Sequence, residues 1–82
     1  MGARVIHRPA YRRFCATLRA WREEAGMTQR EVAEKLGKPH SFVHKSEIGE
    51  RRLDALEFAE FCRALGRDPA ASLLKMERLT GK

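Results

Sequence analysis

At 82 residues the chain is one small domain, 1–82, short enough that oligomerisation would help it bury sufficient apolar surface. Seventeen Lys and Arg against eleven Asp and Glu give a formal charge of +6, which favours a polyanionic partner. No apolar run approaches the roughly 20 residues of a bilayer span, and no signal-peptide pattern opens the chain, so a membrane partner is set aside and a cytoplasmic setting expected.

Strand signals are almost absent, whereas helix punctuation is dense, and the fold class expected is all-α with five helices. The first helix is predicted over 9–25, opened by Pro9 and stopped by Gly26, with Tyr11, Phe14, Leu18, Trp21 and Ala25 recurring along one stripe. Cys15, inside that pattern, and Cys62 have no Cys or His partner at metal-ligand spacing. They read as buried free thiols, and no metal site is expected. The second helix opens on "MTQREV", where Thr28 and Glu31 make a capping box and Met27 staples onto Val32; Val32, Ala33 and Leu36 face inward, and Gly37 ends it.

Only Lys38 and Pro39 separate it from a third helix, 40–48, which Gly49 closes. The fourth repeats the capping logic with Asp54 and Glu57 and a staple of Leu53 on Phe58, and its apolar face is expected to hold Leu56, Phe58, Ala59, Phe61, Cys62 and Leu65. Asp68 and Pro69 start a fifth through Leu73, Leu74, Met76 and Leu79, with fraying expected over 1–8 and 80–82.

Two short helices joined by a Gly-containing turn, in a basic chain, describe a helix-turn-helix over 29–48 within a core of 11–79. The stretch "LRAWREEAGMTQREVAEKLGKPHSFVHKSEIGERRLDALEFAEFCRALG" resembles the Xre family, the Cro and lambda-repressor type of helix-turn-helix regulator. Gln29, Ala33, Gly37 and Val43, with Thr28 before them and Glu47, Gly49, Glu50 and Arg51 after, carry the resemblance. Its scaffold residues have physical reasons. Ala33 sits where the two motif helices touch, Gly37 permits the turn, Val43 anchors the second motif helix, and Gly49 ends it.

The resemblance implies a double-stranded DNA partner, with His40, Ser41, His44 and Lys45 reading base edges. It also places Gln29 on a phosphate beside the free backbone donors of its helix. Thr28, Arg30, Lys38, Arg51 and Arg52 are further phosphate candidates, while Phe42 on a flank either touches a thymine methyl or packs against the loop. Glu47, a carboxylate near a surface meant for phosphate, is expected by the same resemblance to pair with Arg22.

A homodimer on a pseudo-palindromic operator is expected, because one recognition helix reads few base pairs. Ile48, Leu53, Leu73, Met76 and Leu79 are its candidate interface. The function implied is a transcriptional regulator, a repressor or autoregulator associated with the nucleoid when bound. The alternative is an antitoxin-like protein-interaction module, with "RVIHRPAYRRF" or "SLLKMERLTGK" as partner segment. No catalytic residues, cofactor or small-molecule effector are expected. Within "KSEIGE" the chain departs from the family pattern: Ser46 takes an inward position and Ile48 an outward one. Ser46 is expected to bond back to the Phe42 carbonyl.

Overall fold

The computed structural model describes residues 8–81, and among them the regular structure is all helical. Five helices follow in chain order: α1 (Pro9–Glu24), α2 (Gln29–Leu36), α3 (His40–Ile48), α4 (Ala55–Ala64) and α5 (Pro69–Thr80). Residues 1–7, which include the opening "RVIH" of "RVIHRPAYRRF", and Lys82 lie outside the described residues.

Local chemistry sets the boundaries. Thr28 Oγ1 accepts the Glu31 N–H at 3.0 Å while Glu31 accepts the Thr28 N–H at 2.8 Å, closing the box that starts α2. Asp54 and Glu57 do the same for α4, at 2.7 and 3.0 Å. Asp68 caps α5 by accepting the Ala71 N–H at 2.8 Å. Gly37 ends α2 in the left-handed region, φ 66°, which lets the Lys38 N–H return to the Ala33 carbonyl at 3.0 Å and turns the chain sharply into Pro39.

One core is shared by all five helices: Leu18 and Trp21 from α1, Val32 and Ala33 from α2, Phe42 and Val43 from α3, Phe58, Phe61 and Cys62 from α4, and Met76 from α5. Met27 and Leu53, placed just before the two capped helices, pack on its edge. α1 lies against both α3 and α5, so it links the helix-turn-helix to the rest.

Several expectations change. α1 stops at Glu24, with Ala25 exposed, and α5 keeps Thr80, whose hydroxyl donates to the Met76 carbonyl at 2.7 Å instead of fraying. Leu56 is 77% exposed, because the buried stripe of α4 runs through Phe58, Phe61, Cys62 and Leu65 and leaves Leu56 on its back. On α5 the inward positions are Ser72 and Met76, while Leu73, Leu74 and Leu79 face out. Met76, expected at a dimer interface, is 2% exposed and fills the core, so it has no surface to give a partner.

Candidate nucleic-acid interface

α3 divides cleanly around its circumference. Phe42, Val43, Ser46 and Glu47 are buried, and His40, Ser41, His44, Lys45 and Ile48 are exposed. Successive residues advance about 100°, so the exposed set forms a continuous outer face. Val43 at 0% exposure and Ala33 at 3% mark where α3 seats on α2, and a side chain larger than Ala33 would push the two apart. Ser46, also fully buried, satisfies its hydroxyl by donating to the Phe42 carbonyl at 2.7 Å, four residues back.

Beneath the outer face lies an ionic network. Arg22 donates through Nε to Glu47 Oε2 at 2.6 Å and through Nη2 to Glu47 Oε1 at 3.1 Å, a bidentate fork between α1 and α3. Its Nη1 donates to the Met27 carbonyl at 2.8 Å, tying in the turn before α2. Gln29 then donates through Nε2 to Glu47 Oε1 at 3.0 Å. The hydrogen bonds to Glu47 push the Arg22 pKa up from its ordinary value, against the opposing effect of burial. Glu47 is therefore neutralised where it stands, and its charge does not confront an approaching phosphate.

The family resemblance implies a phosphate contact for Gln29. In the structure its amide nitrogen donates to Glu47, leaving its second amide N–H and the open backbone N–H groups of the first turn of α2 for an anion. Thr28 is likewise committed to its capping box, with its hydroxyl proton still able to donate outward.

An open cleft runs between these elements. Arg19, Thr28, Gln29 and Arg30 line one side, and His40, His44 and Ile48 the other. It joins the N-terminal pole of α2, where backbone N–H groups favour an anion, to one flank of the recognition face. Ser41 and Lys45 stand outside the cleft on the crest of α3. Arg19 is absent from the sequence reading. Its local signal is its place one turn before Arg22 on the same helix, but only the packing of α1 beside α3 brings it to the cleft.

The remaining phosphate candidates differ in availability. Arg52, Arg30 and Lys38 are exposed. Arg51 is engaged: its Nη2 donates to Glu57 Oε2 at 2.7 Å and its Nη1 to the Arg52 carbonyl at 2.7 Å. Phe42 is 8% exposed, with Lys38 Nζ at 5.3 Å and Arg51 Cζ at 4.9 Å from its ring centroid. The ring thus packs into the fold and props two cations beside α3, which resolves the two readings of Phe42 in favour of packing.

Cys15 and Cys62 are buried free thiols, and burial pushes both pKa values up. Among the described residues no three His, Cys, Asp or Glu side chains converge to hold a metal ion, and no helix is long and apolar enough to cross a membrane.

Residues 13–73 match the family described as helix-turn-helix domain. An XRE-family like protein of solved structure, from Pseudomonas syringae pv. tomato str. DC3000, is similar over 95% of this chain and 95% of its own, with 47% identity and a TM-score of 0.82. A comparison with curated proteins found no match.

Proposed function

The chain belongs to the Xre type of the helix-turn-helix family, a family of DNA-binding regulators, and from that premise we propose a sequence-specific, double-stranded DNA-binding repressor or autoregulator acting as a homodimer on a pseudo-palindromic operator. The observation that carries the reading is the outer face of α3, which presents His40, Ser41, His44 and Lys45 to solvent while its inner face is locked to α1 and α2. A helix held so firmly and left so open suits a major groove about 12 Å wide.

His40, Ser41, His44 and Lys45 are the base readers in this proposal, with Lys45 suited to guanine O6 or N7. Thr28, Gln29, Arg30, Lys38, Arg51 and Arg52 hold phosphates, and Arg19 joins them from the cleft wall. The bound strand's backbone would follow the cleft, past the N-terminus of α2.

Selection of bound sequences from random duplex DNA, followed by a salt titration on the selected site, tests the proposal. A palindromic consensus is expected, with log K falling by about 0.9 per neutralised phosphate for each decade of salt. Absence of enrichment would remove sequence-specific DNA binding as the function.

A further inference from the structure

The outer face of α1 is flanked by two grooves. One lies between α1 and the end of α3, with Arg12, Ala16 and Glu23 on the α1 side and Ile48 opposite. The other lies between α1 and α5, with Arg13, Ala16 and Glu24 on the α1 side and Leu79 opposite. Ala16 and Ala20 line both grooves and form the exposed ridge between them. Ile48 and Leu79 are each 48% exposed.

Each groove therefore carries an arginine towards the start of α1 and a glutamate towards its end, with Arg19 also in the first and Lys75 of α5 also in the second. When α1 is laid end for end on a copy of itself, with Ala16 over Ala20 of the second copy, Arg12 meets Glu23 and Arg13 meets Glu24. Twofold symmetry makes each contact twice. We propose that a second copy of this chain docks on this face, α1 against α1 in antiparallel orientation, with these self-complementary charges setting the register.

The inference rests on the homodimer reading and assigns its interface. Exposed ion pairs add little affinity by themselves, so the charges serve orientation: a parallel arrangement would set arginine against arginine. Ile48 and Leu79 supply apolar area at the two edges of the ridge, Ile48 standing on the border between this groove and the DNA cleft. Glu23 already accepts from Arg19 at 3.0 Å and has lone pairs left for a second donor.

The arrangement also fits the DNA reading. The axis relating two antiparallel helices lies in the plane between them and runs across α1, from the Leu79 side to the Ile48 side. Both α3 helices then emerge at the same end of the dimer, as engagement of two half-sites on one duplex requires. Leu73 and Leu74, exposed elsewhere on α5, line neither groove and serve as controls.

The test is a charge exchange read by sedimentation equilibrium, with circular dichroism verifying helix content. One variant carries Arg12→Glu and Arg13→Glu; the other carries Glu23→Arg and Glu24→Arg. Each alone is expected to weaken dimerisation more than about tenfold, since like charges then face each other. An equimolar mixture is expected to recover the dimer, because the new glutamates of one chain face the new arginines of the other.

A wild-type dimer that tolerates either variant, gains nothing from mixing, or is dispersed by Leu73→Ser with Leu74→Ser overturns the inference alone. A wild-type chain that is monomeric both free and on its selected DNA overturns the homodimer reading and the inference with it.

Discussion

Arg22 and Glu47, 25 residues apart, form a two-pronged ion pair with side chains only 10% and 2% exposed. Such a pair adds limited net stability over apolar residues of similar size, but removal of one partner strands a charge. Arg22→Met and Glu47→Leu are each expected to cost about 3 to 5 kcal/mol in urea denaturation. The double variant is expected to recover much of that loss while weakening DNA binding, because Gln29 and α3 lose a shared anchor. Two single variants as stable as the wild type would contradict a buried, mutually dependent pair.

Ser46 is fully enclosed, yet its hydroxyl is satisfied within its own helix. Removing it leaves no buried partner stranded, since carbonyls in a helix already accept a backbone N–H. Ser46→Ala is expected to lose no more than about 0.5 kcal/mol, the better helix propensity of Ala offsetting the lost bond. Ser46→Leu, which adds volume to an enclosed site, is expected to lose about 1 to 3 kcal/mol. Thermal and urea midpoints measure both, and a stabilising Ser46→Leu would show that the site is underpacked.

Arg51 is held by Glu57, which also completes the capping box of α4. Glu57→Gln keeps an acceptor for the Asp54 N–H but removes the charge that retains Arg51. Because the Arg51 side chain is 44% exposed, the lost pair is expected to cost under about 1 kcal/mol of stability. The freed guanidinium is expected to steepen the salt dependence of DNA binding by up to about 0.9 in log-log slope. An unchanged slope would mean that releasing Arg51 from Glu57 adds no phosphate contact.

What could be read from the sequence follows the range of the interactions involved. The two capping boxes and the Pro39 and Gly49 boundaries of α3 are local patterns of a few residues, so these features appear in the structure where the pattern sets them. The inward face of α5 is less legible. α5 carries apolar side chains on more than one face, and periodicity does not say that Met76 rather than Leu73, Leu74 or Leu79 meets the core. The cleft position of Arg19, the stacking of Phe42 beneath Lys38 and Arg51, and the Arg51–Glu57 pair all arise from tertiary packing. Only the family resemblance pairs Arg22 with Glu47, since nothing local in the sequence connects α1 to α3.

Base readers and phosphate holders are expected to separate experimentally. Lys45→Ala and His44→Ala should each lower affinity for the selected site by about 1 to 3 kcal/mol and relax preference at one position per half-site. Arg30→Ala should weaken binding to all sequences alike and reduce the salt slope by about 0.9. Competition binding on single-base variants of the site distinguishes the two patterns. Equal losses on specific and random DNA for Lys45→Ala would assign it to the backbone.

The buried thiols make stability sensitive to alkali. Burial pushes Cys15 and Cys62 above their ordinary 9.0, and Tyr11 above 10.0, so the folded chain holds these protons more tightly than the unfolded one. A group whose pKa is raised on folding contributes stability that is complete below its unfolded value and is lost as pH rises through its folded value. Urea denaturation is therefore expected to show no decline from these three groups below about pH 9, a loss from the two thiols beginning there, and a further loss from Tyr11 above about pH 10. Cys62→Ala should shorten the first phase, because one of its two protons is gone. Thiol-reactive dyes should label the native protein slowly at neutral pH and faster once the alkaline loss begins. Rapid labelling of both cysteines at neutral pH would show that the thiols are not held protonated in the core.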